Sequence, residues 1–292
     1  IQDKQIVAIY TDHFKTIKHR QLLLKYGFIR EVSKGWYIAS DPSEKDGETT
    51  SWYSAYWDFV AAFLDHKYGK EWCLSPDQSL LNHVQNTTIP QQLLVRSPKG
   101  NNNPTPLPHS TSLFNLKTDI PSNALTIVTN GIRLYDLSSS LVYCSPRIYL
   151  THALDVRTAL SMIRDASEVL PVLLEKGHST LAGRLAGAFR NIGRERIADQ
   201  IIETFKQADY DIREVDPFES NTEIKIPIRE RSPYTIRIRL LWQEMRKTVI
   251  ELFPPAPGIN ADIQSYLQKV DDLYLTDAYH SLSIERYKVT PG

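Results

Sequence analysis

Apolar positions change period within the first forty residues. Phe14, Ile17, Gln21 and Leu24 follow helical spacing as far as Gly27, after which Phe28-Ile29-Arg30-Glu31-Val32 reads as a strand. Ser33-Lys34-Gly35 is a turn signal, and the aromatic and β-branched run Trp36-Tyr37-Ile38 is placed to pair back on that strand. A helix followed by such a hairpin is the arrangement of a winged helix. Residues 41–51 are polar and turn-rich, which predicts a linker or a wing extension.

Residues 52–69 then carry one aromatic stripe, Trp52, Tyr56, Phe59, Ala62 and Phe63, which the helical period assigns to a core. Residues 93–96 form a short strand candidate. The segment 97–110, with four prolines and three consecutive asparagines, predicts an exposed loop. Strands over 125–129 and 132–137 flank Asn130-Gly131, the strongest short-range hairpin signal in the chain.

From Pro146 onward the pattern is helical, with segments over 153–163, 166–175, 179–192, 194–210, 234–252 and 261–278. Gly183 and Gly187 put two small surfaces on one helix face, and the flanking Arg184 and Arg190 point to close packing in a soluble helix pair. In the segment 234–252 the positions expected inside are Ile238, Leu241, Trp242, Met245 and Val249, and Phe253-Pro254-Pro255 ends the helix. Residues 216–233 read as a mixed, partly extended connection. The fold class expected is therefore α+β and multi-domain: a winged helix over 1–45, a small mixed α/β domain over 46–145, a helical domain over 146–215 and further helices over 216–292.

Length agrees with more than one domain, since 292 residues exceed the usual size of a single core. Hydrophobic residues at 41% and charged residues at 23% exclude disordered and collagen-like classes. Thirty-four basic and 34 acidic side chains cancel, so binding to a polyanion has to come from a local patch. No apolar run of bilayer length and no signal-peptide core is evident, and Cys73 and Cys144 supply neither a disulfide framework nor a zinc ligand set. These features predict a cytoplasmic protein without membrane contact, whose cysteines are small buried hydrophobes. Its abrupt ends at Ile1 and Gly292 suggest a portion of a longer chain.

Portable catalytic motifs are missing: no Walker loop, dinucleotide fingerprint, zinc-protease helix, nucleophile elbow or EF-hand loop occurs. The histidines are dispersed, and no metal site is expected. Asp58 and Asp65 stand seven apart on the aromatic helix and read as solvated charges rather than an acid and base pair. Arg184, Arg190, Arg194 and Arg196 are interleaved with Glu195, Asp199 and Glu203, which predicts a salt-bridged helical surface. Arg229, Arg231, Arg237 and Arg239 meet fewer acids and are the second polyanion candidate. The first is the winged-helix region, where Lys15, Lys18, Arg20, Lys25, Arg30 and Lys34 sit where a duplex backbone would be contacted. A helix-hairpin used only for packing or protein contacts is the competing reading.

The helix-hairpin ending in Lys34-Gly35-Trp36-Tyr37-Ile38, with the mixed segments after it, resembles the winged helix and following domain of AbiEi-type antitoxins and related bacterial regulators. That resemblance implies promoter DNA binding and autoregulation of a toxin-antitoxin or similar operon. Residues 181–292 look like the N-terminal part of a Fic-domain protein. The matching strings are the run from Leu181 to Arg194, Pro217-Phe218, Leu241-Trp242, Phe253-Pro254, and above all the run from Asp277 to Thr290.

Membership of the Fic family implies transfer of AMP from ATP to a hydroxyl of a target protein. It also implies an inhibitory helix of the pattern Ser/Thr-x-x-x-Glu-Gly/Asn, which Ser281 and Glu285 match, while Arg286 places a bulky cation at the following cap position. In such a switch the glutamate pairs with an arginine of the catalytic loop. The catalytic loop itself, His-x-Phe-x-Asp/Glu-Gly-Asn-Gly-Arg, is missing from this chain. ATP and Mg²⁺ are thus expected only with a complete Fic core in cis or in trans, and no cofactor is expected in this chain. The expected role is a regulatory, operator-binding portion of a Fic-type adenylyltransferase. The alternative is an AbiEi-like repressor or antitoxin without enzyme activity, whose C-terminal helices make a homodimer.

Overall fold

The computed structural model describes residues 8–45, 47–175, 177–218, 232–255, 258 and 262–284. They form a mixed α and β structure that divides into two units, one running to Glu244 and the other beginning at Met245. The chain opens with strand β1 (Ala8–Tyr10), helix α1 (Ile17–Lys25), and strands β2 (Ile29–Ser33) and β3 (Trp36–Ala39). The sheet order is β1-β3-β2, antiparallel throughout. The hairpin read from the sequence is therefore present, with β1 added on its other edge.

Helix α2 (Thr50–Tyr68) follows, then β4 (Cys73–Leu74) and α3 (Pro76–His83). A second sheet is completed by β5 (Gln92–Ser97), β6 (Pro104–Pro106) and β7 (Ser112–Lys117), in the order β4-β5-β7-β6 with β5 and β7 parallel. The segment expected to be wholly loop thus contains β6. A proline-rich strand is tolerated there because it lies at the sheet edge, where missing N–H groups need no partner. Buried Asn115 holds it in place, donating Nδ2 to Thr105 Oγ1 at 2.9 Å while Tyr68 donates its hydroxyl to Asn115 Oδ1 at 3.0 Å. Strands β8 (Thr126–Thr129) and β9 (Ile132–Tyr135) pair in register Thr129↔Ile132 around Asn130 and Gly131, whose φ values of 51° and 79° are those of a primed two-residue turn.

One core joins these elements. The α2 stripe Trp52, Tyr56, Phe59 and Phe63 packs with Trp36 and Ile38 of β3, Leu74, Leu93 and Val95, Leu113, Ile132 and Leu134. Ala62 lies at its margin. The core therefore runs continuously from the β2–β3 hairpin into the residues beyond 45.

The rest of the first unit is helical: α4 (Leu137–Tyr143), α5 (Ile148–Thr151), α6 (Ala153–Met162), α7 (Leu170–Leu174), α8 (Ser179–Asn191), α9 (Glu195–Gln207) and the first turns of α10 (Pro233–Leu252). A second core gathers Leu80 of α3 and Val84 just after it with Tyr149, Leu160, Phe189, Ile201 and Phe205. The arginine-rich helices carry ion pairs, one of them to the expected Asp199 and two to acids outside the interleaved set: Arg190 meets Asp199 and Glu214 at 2.7 Å, and Arg196 meets Asp165 at 3.2 Å. Both cysteines are free and buried.

Two expectations are corrected here. Gly183 and Gly187 do make a close approach, but to the extended segment 210–218 rather than to a helix. A Cβ at Gly183 would lie 2.0 Å from the Arg213 carbonyl oxygen, and Val215 N–H donates to Gly183 O at 3.2 Å. The inward positions of α10 are Ile236 and Leu240, not Ile238, Leu241 or Trp242, which are exposed. Beside this stripe Arg237 pairs with the buried Asp155 carboxylate at 3.2 Å. Met245 and Val249, in the second unit, are exposed as well, as are the apolar residues of α11 (Ile263–Ile284) from Ile263 to Tyr274. No helix among the described residues is long and apolar enough to cross a membrane.

Packing at the two cores generates a stability prediction. Trp36→Ala should cost about 3–5 kcal/mol by removing a fully packed indole. Gly183→Ala should cost about 1–3 kcal/mol, because its methyl meets a backbone carbonyl that cannot rotate away. Urea denaturation measures both, and a change within about 0.5 kcal/mol at either site would contradict the packing described.

Candidate nucleic-acid interface

Helix α1 starts at Thr16, whose hydroxyl accepts the His19 N–H at 3.2 Å. The helix carries Lys18, Arg20 and Lys25 and no acidic residue. None of its residues is buried, but its faces differ. Arg20 and Leu23 are half-buried and the other seven residues are exposed; among these Lys18, Gln21, Leu22 and Lys25, spaced three, four and seven apart, share one face. Seven basic against four acidic side chains give residues 8–45 a charge of +3, in a chain whose total is zero.

The six cations read from the sequence occupy distinct environments. Lys15, Lys18, Lys25 and Lys34 are exposed. Lys15 borders a shallow groove of about 400 Å³ shared with His13, Phe14 and His19. Arg20 lies over the Tyr37 ring at 5.9 Å, and Lys25 over Tyr26 at 5.6 Å. Arg30 is engaged by Glu44, with 3.7 Å between guanidinium and carboxylate and a further bond to the Glu44 carbonyl at 3.3 Å. Of the six, Arg30 is the one held by a carboxylate among the described residues, which reduces its availability to a phosphate.

The Lys34 turn is fixed from both sides. Gly35 has φ 78°, its N–H donates to Glu31 Oε1 at 2.9 Å, and its carbonyl accepts both the Thr11 N–H and the Thr11 hydroxyl at 2.9 Å. Only two residues, Lys34 and Gly35, separate the paired Ser33 and Trp36, so the turn projects a single cation. Behind it Trp36 packs edge-on against Phe59 at 5.9 Å and Phe63 at 5.6 Å, which ties the hairpin to α2.

The sequence pattern placed Gln21 on one spacing with Phe14, Ile17 and Leu24, whereas Ile17, Gln21 and Leu24 are all exposed; it also missed Gln21 as an outward residue, Tyr37 as the support of Arg20 and Glu44 as the partner of Arg30. The 18/21/22/25 spacing carries the first of these. The other two depend on strand register and on a contact fourteen residues away, which no local pattern encodes. Ser281 lies within α11, in the second unit, while Glu285, Arg286, Arg229 and Arg231 lie outside the described residues. Arg237 is paired with Asp155. Among the described residues no cluster of histidine, cysteine and carboxylate side chains could hold a metal ion.

Compared with protein-family models, with curated proteins and with solved structures, the chain matches none.

Acid stability follows from Glu44. A hydrogen bond from the Ser51 hydroxyl, at 2.6 Å, together with the Arg30 charge holds its carboxyl below the ordinary value of 4.5. The folded state therefore binds fewer protons than the unfolded chain, so this stabilisation is complete above the ordinary value and fades as pH falls through the folded one. Glu44→Gln should lower the melting temperature at neutral pH and narrow its gap to the parent protein as pH falls toward about 3. A gap independent of pH would show that Glu44 gives no charge-dependent stability.

Proposed function

We propose that this chain is a DNA-binding regulatory portion of a Fic-type protein. In this reading the outward face of α1 and the Lys34 turn rest on duplex phosphates, and the end of α11 supplies an inhibitory segment to a catalytic core. The observation that carries the DNA reading is the exposed stripe Lys18, Gln21, Leu22 and Lys25, on a helix without acidic residues, mounted on a hairpin anchored in the aromatic core.

Attraction to phosphates requires exposed cations free of internal partners, and Lys15, Lys18 and Lys34 are exposed with no carboxylate partner among the described residues. Gln21 lies between Lys18 and Lys25 on the same face and offers both a donor and an acceptor to a base edge. The regulatory reading is supported by the strings from Leu181 to Arg194 and from Asp277 to Thr290. The helix α11 runs through Ser281 to Ile284, so the serine of the Ser-x-x-x-Glu pattern lies in helical backbone. ATP and Mg²⁺ belong to the core in this reading and not to residues of this chain.

Combined alanine substitution at Lys18, Lys25 and Lys34 should weaken binding to duplexes of unrelated sequence by a similar factor. It should also flatten the slope of log affinity against log salt by about 2 to 3, since each phosphate contact contributes about 0.9. Fluorescence anisotropy across a salt series reads both, and an unchanged slope would remove the DNA reading. Glu285→Gly, in a protein that includes the catalytic core, should raise self-AMPylation, and the absence of a rise would remove the inhibitory role.

A further inference from the structure

A cleft of about 540 Å³ opens in the first unit where α2, the end of α3 and the β8–β9 turn meet, lined among others by Trp57, Asp58, Asn82, His83 and Asn130. Its walls carry one carboxylate, Asp58, among neutral polar groups that include the Gln85 and Asn130 amides and the Thr87 and Thr129 hydroxyls. Asn82 donates Nδ2 to the Gln78 carbonyl at 2.9 Å, which leaves its Oδ1 without a donor. His83 Nε2 contacts the Tyr135 carbonyl at 2.8 Å, so Nε2 carries the proton and Nδ1 remains as an acceptor. Burial lowers the proton affinity of this imidazole, in keeping with a neutral ring.

Asp58 makes no hydrogen bond or ion pair with any described residue, and no lysine or arginine lines the cleft. Trp57 donates its indole N–H to the Thr87 carbonyl at 3.0 Å, which fixes an aromatic ring in the wall beside that carboxylate. With Asp58 its one carboxylate, no cation in its lining and acceptor atoms on Asn82 and His83, the cleft disfavours phosphates and carboxylates. Its complement is a cation with several N–H donors and a planar face.

We infer that this cleft binds a guanidinium group, with Asp58 as its charge partner, Asn82 and His83 accepting from its N–H groups, and Trp57 beside its plane. The group comes from a small alkylguanidine or from an arginine side chain of a peptide, and both present the same chemistry to the cleft. This site is separate from the proposed DNA-binding face, and its ligand is of opposite charge to a nucleic acid.

Calorimetric titration of the full chain with agmatine, with the peptide Gly-Arg-Gly and with uncharged N-butylurea tests the inference. Agmatine or the peptide should bind, N-butylurea should bind at least about tenfold more weakly, and Asp58→Asn should remove that preference. The tighter of the two cations identifies the source of the group. Asp58 is exposed, so Asp58→Asn leaves the fold intact, and an unchanged circular dichroism spectrum verifies this. Trp57→Phe is a second variant, expected to weaken both cations while N-butylurea changes less. No binding of either cation, or binding that Asp58→Asn leaves unchanged, would overturn the inference.

Discussion

The seating of Trp36 against α2 is the interaction on which the rest of the N-terminal half depends. Its indole meets Phe59 and Phe63 on one side and Tyr10 of β1 on the other, the last at 5.1 Å. That one side chain therefore links the three-stranded sheet to the long helix and, through the helix, to the parallel pair β5 and β7. Helix α1 has no buried residue, so its position is inherited from the strands on either side of it rather than from a hydrophobic face of its own. A helix held in this way keeps its whole outward surface for contacts with another molecule, and that surface bears lysines without acids.

A different constraint organises the helical half. Gly183 and Gly187 let the backbone of 213–215 lie directly on α8, and the segment is then fastened by side chains on both flanks. Arg190 holds Glu214, Asn191 donates to Asp216 at 2.9 Å, and the Arg157 guanidinium sits 4.3 Å from the Phe218 ring centroid. Backbone packed this closely loses the room for water, so its polar groups need protein partners, and Val215 N–H finds one in Gly183 O. The Asp155 and Arg237 pair then brings α10 onto the same core, where Asp155 also accepts from Asn86 at 2.8 Å. A buried carboxylate with a cation and an amide on it fixes orientation more than it adds stability.

What the sequence made legible follows from how local each signal is. The α2 stripe, the Asn130-Gly131 hairpin and the α8 and α9 helices were readable because period and turn chemistry act within a few residues. Strands β1, β4 and β7 and helices α3 to α5 were missed because they are short and are specified by partners far along the chain, such as Asn115 reaching Tyr68 and Thr105. The α10 stripe was misassigned because apolar periodicity offered two faces, and the face that packs, Ile236 and Leu240, lies beside Arg237, whose partner Asp155 is some eighty residues away in the sequence. At the candidate interface the cations were readable one by one. Which of them remain exposed was not, since the engagement of Arg30 by Glu44 arises only when the chain after β3 brings Glu44 back beside β2. The cleft at Asp58 had no sequence signature, because its lining comes from three stretches separated by tens of residues.

The central claim is that the Lys18–Lys25 face of α1 is the surface that meets a duplex. Photo-crosslinking tests it most directly, because Cys73 and Cys144 are buried and a new surface thiol can be labelled selectively. A benzophenone on Gln21→Cys should cross-link to duplex DNA at low salt, and one on Glu203→Cys, on the exposed side of α9, should not. Cross-linking that is equal from both positions, or confined to residue 203, would contradict the account.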